Sequence, residues 1–396
     1  MSSPPTCMAP FGALSIAADG QVSPCCQYSG NIGTLRESSL ASIWQGDALE
    51  ALRAEMRAGA QPKACWKCWQ AEAAGGRSLR KQLNDRFAKT TRDEATQTPV
   101  YLDFRYSNLC NFRCRSCHHG ASSRWFADAK AMGTTSGDTA LLTAFSSAED
   151  GLAQFKAVDG AVEALYFAGG EPLLEKQNAD LLMFLIDQKR TDITLSYNTN
   201  LSVLDVESLD LTALWQHFPI VHIETSIDAI GEAGALIRRG FSWDDYRANI
   251  ARLRETCPHA KLSAGITVSV LNLLRLPELF YALHNECGFG YDSLHIHALQ
   301  MPQHYDIAIL PDAAKERAAI RLEALAREVE AAEPEATNPA KLRQFIRRMD
   351  PAVIGMDVAA LALARADFKR VTQKLDALRR EDTAQILPEL AVLLQG

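Results

Sequence analysis

Cys110-Asn-Phe-Arg-Cys114-Arg-Ser-Cys117 follows the strand-like run Val100-Tyr-Leu-Asp-Phe-Arg-Tyr106, and no other stretch limits the chain as much. Three thiolates at C-x3-C-x2-C spacing can hold three irons of a cubane cluster and leave the fourth iron without a protein ligand. That iron is then open to a small molecule. The other solution is zinc, whose shell is usually closed by a fourth Cys or His, and His118 and His119 stand near enough to serve. Spacing alone leaves both open.

The middle of the chain alternates regularly. Strands are predicted over 99–106, 162–168, 192–198, 219–226, 261–270 and 292–298, with helical patterns near 121–133, 174–188, 207–216, 242–256 and 274–286. Six strands alternating with helices imply parallel βα units. The residues of chemical interest follow the strand ends. The cysteine loop comes after the first, Phe167-Ala-Gly-Gly-Glu-Pro172 after the second, Asn198 to Asn200 after the third, and Ser226 with Asp228 after the fourth. Sites in such folds form at the carboxyl ends of the strands, so one mouth is expected to collect them.

The three-cysteine loop resembles the cluster motif of the radical S-adenosylmethionine (SAM) enzymes, and the resemblance continues downstream. Gly169, Gly170, Glu171 and Pro172 look like the family's Gly-Gly-Glu-Pro motif, which holds the amino group of SAM. Glycines let a backbone approach a ligand closely, and a carboxylate can pair with an ammonium. Ser226 and Asp228 resemble the ribose-contacting position, Arg238 is similar to an arginine used on the SAM carboxylate, and Asn198 lies in the Tyr197-Asn-Thr-Asn200 stretch shared with the group. Taken singly these have plainer readings: a strand-to-helix turn, a helix cap, a surface charge. Their order and strand-end placement favour the family. One departure is Ser116, where the family often has an aromatic residue before the third cysteine. The resemblance implies an α/β fold, a partial (β/α)6 TIM-like barrel.

A second cysteine set opens the chain: Cys7, Cys25 and Cys65-Trp-Lys-Cys68. Four thiolates there can close a cluster or bind zinc. The surrounding text resembles the twitch and SPASM auxiliary-cluster domains, a β-hairpin plus helix. Ile16 to Val22 reads as a hairpin turning at Asp19-Gly20, followed by Gly30-Asn-Ile-Gly33, Ser39 to Trp44 and a helix around Leu49 to Met56. Four cysteines rather than seven match the twitch form, with one auxiliary [4Fe-4S] cluster. Cys26 could replace Cys25, but the family pattern favours the first of the pair. The domain precedes the core here, whereas in better-known members it follows. The expected organisation is 1–95 auxiliary domain, 96–303 core and 304–396 helical region.

Composition narrows the partners. The chain has 396 residues, 47% hydrophobic and 22% charged, with net charge −7, which gives no basic surface for nucleic acid. No apolar run approaches the length of a spanning helix, Met1 to Ala13 lacks the features of a secretory signal, and ten cysteines suit a reducing cytoplasm. Cys257 and Cys287 are expected to be buried as small hydrophobes. Beyond residue 303, Ala313 to Ala332 and three further stretches read as helices, a solvated cap on the barrel or a lid.

The resemblance implies two [4Fe-4S] clusters, SAM, a reduced flavodoxin- or ferredoxin-type electron donor, and hydrogen abstraction from substrate by a 5′-deoxyadenosyl radical. The auxiliary cluster would then accept an electron, making the net reaction oxidative. Maturation of a peptide or natural product is the favoured expectation. A dehydrogenase of a small molecule such as a sugar or cyclitol is the alternative, and a non-catalytic iron–sulfur or zinc protein a remote one. His295 and His297 alternate along the last predicted strand and face one side. Turned inward they could relay a proton; otherwise they are a packing or surface pair. Glu224 alternates with Ser226, so the barrel interior is open to it as well.

Overall fold

Strands covered on both faces bury nearly every residue, and neighbouring strands of this chain do so. Tyr101–Phe104 and Ala164–Phe167 are buried almost throughout, with Leu102, Phe104, Leu165 and Phe167 sealed from solvent. The protein is described by a computed structural model over residues 6–73, 76–87, 98–135, 137–299 and 301–395. The boundary read at residues 95 and 96 lies outside the described residues. The chain is α/β with a parallel central sheet. Among the described residues, no helix is long and apolar enough to cross a membrane.

Contacts divide the chain into two compact units that interleave along the sequence. The first comprises Met1–Cys110, Leu141–Asn198 and Asp205–His222, and the second Asn111–Ala140, Thr199–Leu204 and Ile223–Gly396. In the first unit the strands are β1 (Ala13–Ile16), β2 (Gln21–Ser23), β3 (Gly33–Thr34), β4 (Tyr101–Phe104), β5 (Ala164–Phe167) and β6 (Thr194–Thr199), in the order β6-β5-β4-β1-β2-β3. β4, β5 and β6 run parallel, with Phe104 beside Phe167 and Phe167 beside Tyr197. Phe104, Tyr106, Phe145, Phe155 and Phe167 form the aromatic core behind them.

The N-terminal hairpin forms where expected, β1 against β2, but it does not stand apart. β1 pairs in parallel with β4, from Ala13 beside Tyr101 to Ile16 beside Phe104, and Ser15 Oγ donates to Asp103 Oδ2 at 2.9 Å in the buried seam. An uncovered β4 would present a row of unmet backbone groups. The hairpin supplies the ladder, so it shares a sheet with the segment the sequence reading assigns to the core.

The second unit holds β7 (Val221–Ser226), which begins in the first, β8 (Lys261–Val268) and β9 (Leu294–Ala298), in the order β7-β8-β9. Its C-terminal part is helical: Asp312–Ala332, Asn338–Arg348 and Val358–Arg379. The helix read over 121–133 resolves into two short 3-10 turns and Phe126–Met132.

Candidate functional site

In the first unit, three neighbouring parallel strands end at predicted site residues: β4 leads to Cys110, β5 to Gly169–Pro172, and β6 carries Asn198. The turn after β5 folds back on the segment before Cys110. Gly170 N–H donates to Ser107 O at 3.2 Å and Glu171 N–H to Leu109 O at 2.6 Å. A Cβ on Gly170 would lie 2.1 Å from Leu109 O and 2.5 Å from Asn108 C. The glycine is therefore required by a close approach of the chain to itself. Glu171 is buried, and its Oε1 accepts the Leu173 N–H at 3.0 Å, capping the turn at Pro172.

In the second unit the loop continues through Cys114 and Cys117. Arg113–Cys114 forms a short antiparallel ladder with Arg238–Arg239, placing Arg238 beside Cys114. Burial pushes the Cys114 thiol up, while the Arg238 guanidinium opposes the shift. Asp228 is buried and fully engaged: Oδ1 accepts the Thr267 N–H at 2.9 Å and Oδ2 accepts Arg238 Nη1 at 3.1 Å. Ser226 ends β7 just before it. Arg238 and Asp228 are thus brought together as a pair, and any anion reaching Arg238 shares it with Asp228. His119 is buried, with Nε2 3.0 Å from Thr139 O and its ring against Phe126, a packing group. Asn111 and Asn200 pair through their amides at 3.0 Å, tying the loop after β6 to the residue following Cys110.

The N-terminal cysteines meet within the first unit. Cys7, Cys25, Cys65 and Cys68 line one cavity with Tyr28, Met56, Trp69, Arg80 and Leu83. Cys26 is exposed and outside that lining. Cys7 and Cys65 are held by their neighbours: Thr6 N–H donates to Met56 O, Met8 N–H to Asn84 Oδ1, and Ser29 N–H to Ala64 O beside Cys65. Burial pushes the Cys7 thiol up to about 11 and the Cys65 thiol up to about 12, with the facing sulfurs adding to both. Burial raises Cys25 still further. A dry pocket of mutually facing thiols is costly unless cations neutralise the thiolates. Four thiols in one lining are the donor set of a closed iron–sulfur cluster and of a zinc site alike.

A polar group also lines the second unit's strands. His295 and His297 lie on the solvent-reachable face of β9, whereas Leu294 and Ile296, which alternate with them, are buried in the core. Gly265 of β8 is registered with His295, and the missing side chain lets the Glu224 carboxylate reach His295 Nδ1 at 2.6 Å. That hydrogen bond holds the Glu224 carboxyl below its usual range. Desolvation lowers His297, with Glu224 pulling the other way, and it also lowers Lys341, on helix Asn338–Arg348. The sequence reading marked the histidines and Glu224 but missed Lys341 and Gly265. A glycine inside a strand, the usual sign of a close approach, was the available signal for the second.

Two family models match the chain: an iron–sulfur cluster-binding domain, SPASM, over residues 7–69, and the radical SAM superfamily over residues 104–271. Among solved structures, anSMEcpe with bound AdoMet is 14% identical with a TM-score of 0.42, the alignment covering 59% of this chain and 62% of that one. anSMEcpe has also been solved with AdoMet and a Cp18Cys peptide, at 14% identity, a TM-score of 0.38, and 59% and 61% coverage. Streptococcus suis SuiB bound to S-adenosylmethionine is 16% identical with a TM-score of 0.38, over 74% of this chain and 63% of that one. The chain thus spans less than two thirds of the length of these relatives.

Proposed function

The chain belongs to the radical SAM superfamily and carries an auxiliary SPASM-type iron–sulfur domain, and from that premise we propose an oxidative enzyme with two [4Fe-4S] clusters. Cys110, Cys114 and Cys117 hold the first, and Cys7, Cys25, Cys65 and Cys68 the second. Glu171 and the backbone of Gly169–Pro172 receive the amino group of SAM. By the resemblance to the family, Arg238 would pair with its carboxylate, and Ser226, Asp228 and Asn198 are further candidate contacts to SAM. Bound there, cluster and SAM supply reductive cleavage to a 5′-deoxyadenosyl radical that takes a substrate hydrogen atom, and the second cluster supplies an acceptor for the remaining electron. The chain's own residues then handle a proton. Once a hydrogen atom and an electron have left a C–H-bearing substrate, one proton must go to a base. His295 offers a ring nitrogen while Glu224 holds the other at 2.6 Å, and His297 stands on the same strand face.

The observation that carries this reading is the contact of the Gly169–Pro172 turn with the residues immediately before Cys110, Glu171 N–H on Leu109 O. It brings the Gly169–Pro172 turn against the segment that precedes Cys110, which supports reading the two as parts of one cofactor site. Peptide or natural-product maturation is the favoured substrate class, since SPASM and twitch members of the family commonly act on peptides. A reduced flavodoxin- or ferredoxin-type protein in the cytoplasm would supply the electron. The four-cysteine arrangement, with seventeen residues between Cys7 and Cys25, resembles that of a twitch dehydrogenase and supports a second reading, dehydrogenation of a sugar or cyclitol.

Anaerobic reconstitution tests the core of the proposal: about eight irons per chain are expected, with 5′-deoxyadenosine formed from SAM under strong reductant. Replacing Cys110, Cys114 and Cys117 with Ala should remove about half of the iron and all SAM cleavage. Tight zinc at the N-terminal cysteines, or cleavage surviving the triple replacement, would overturn it. Transfer of deuterium from labelled peptide or polyol into 5′-deoxyadenosine separates the two substrate readings.

A further inference from the structure

Arg115 lies between two of the three loop cysteines, and its side chain is fully buried. A buried guanidinium needs partners, and both come from the far end of the chain. Nη2 donates to Asp376 and, at 2.6 Å, to Glu381. Arg379, equally buried, donates Nη1 to the Arg113 carbonyl at 2.9 Å and pairs with Asp128 at 2.8 Å. Its guanidinium lies 4.9 Å from the centre of the Trp125 ring, and Trp125 Nε1 donates to the Cys114 carbonyl at 2.7 Å. Val371 and Leu375 of the same helix pack with Trp125, Cys117 and Met132. Arg239, paired with Arg113 across the ladder, donates to Arg379 O at 2.6 Å and to Glu381 at 2.9 Å.

One carbonyl, one buried side chain and one thiol-bearing residue of the cysteine loop are thus held directly from helix Val358–Arg379 and the residues just after it, and a second carbonyl is held through Trp125. We propose that Asp376, Arg379 and Glu381 are positioning residues of the cluster site. In that role the C-terminal helix is the back wall that sets the loop's shape and the charge beside it. The inference rests on the cluster reading of Cys110, Cys114 and Cys117. Arg113, Arg115, Arg239 and Arg379 face three carboxylates, Asp128, Asp376 and Glu381, which leaves one net positive charge at the loop. Net charge and solvent exposure are among the factors that set a cluster's potential, and a positive surplus favours the reduced state.

The experiment uses the reconstituted full chain and an EPR-monitored redox titration, following the cluster whose signal changes on adding SAM. Glu381→Gln increases the positive surplus and should raise that midpoint. Arg115→Met removes it and should lower the midpoint. The auxiliary cluster, measured in the same samples, should keep its wild-type midpoint and so reports the fold. Wild-type midpoints in both variants, or shifts of the same sign, would overturn the proposal, because a merely structural role does not produce opposite shifts. Should Arg115→Met take up no cluster, the sign for Glu381→Gln decides alone. Wild-type protein that forms no SAM-responsive cluster would instead defeat the underlying reading of the cysteine loop.

Discussion

Replacing Gly170 with alanine tests whether the turn after β5 supports the cysteine loop by direct backbone contact. The added Cβ would stand 2.1 Å from Leu109 O and 2.5 Å from the carbonyl carbons of Asn108 and Leu109. These are backbone atoms, so no rotamer change relieves the clash. The Leu109 carbonyl has to retreat by roughly 1 Å or more to reach an ordinary contact. That movement strains or breaks the Glu171 N–H bond to Leu109 O and the Gly170 N–H bond to Ser107 O. Overpacking costs about 1–3 kcal/mol and each weakened buried hydrogen bond about 0.5–1.5 kcal/mol. A total loss of about 2–6 kcal/mol follows. Urea unfolding followed by tryptophan fluorescence measures it against Gly137→Ala, where a Cβ meets nothing within 4 Å. Cys110 directly follows Leu109, so the variant should also lose iron from the three-cysteine site while the N-terminal site keeps its own. Stability within about 0.5 kcal/mol of the Gly137→Ala control, with full iron, would refute the reasoning.

Three further outcomes are expected. Glu171→Ala should weaken SAM binding about tenfold or more, a loss on the order of 1–3 kcal/mol for a charge-assisted contact, at unchanged iron content; normal SAM affinity by calorimetry would misplace the pocket. Cys7→Ala combined with Cys68→Ala should leave SAM cleavage intact under strong reductant but lower the oxidised product, and unchanged product yield from the folded variant would remove the electron-acceptor role. The Glu224 carboxyl is held below its usual range by His295, so its contribution to stability is present above the ordinary carboxylate pKa and is lost as pH falls through the lowered one. Glu224→Gln should therefore flatten the acid limb of the stability–pH curve below about pH 5, and coincident curves for variant and wild type would exclude the pairing.

The sequence by itself determined the chemistry class and the strand order, because both rest on local signals. Cysteine spacing, the Gly169–Pro172 turn and the alternation of apolar runs with helical patterns all lie within a few residues of one another. All six predicted strands form within two or three residues of their expected limits. The helix Ala148–Lys156 left no such signal: it is short, and its anchor Phe155 is buried by residues distant in sequence, Phe104 and Phe184. The family pattern alone favoured Cys25 over Cys26, but that Cys25 lines the cavity with Cys7, Cys65 and Cys68 while Cys26 is exposed is visible only in the fold, where the chain turns one of two adjacent residues inward. The pairing of Glu224 with His295 depended on Gly265 lying between their strands. The arginine network behind the cysteine loop joins residues 261 and 266 positions apart, Arg115 with Asp376 and Glu381. A tail rich in Ala, Glu and Arg reads as a solvated helix whichever way it packs. Only the tertiary structure decided that two of its charges, Asp376 and Glu381, neutralise a buried arginine from the cluster loop, because the need for a counter-charge arises when burial removes water from Arg115.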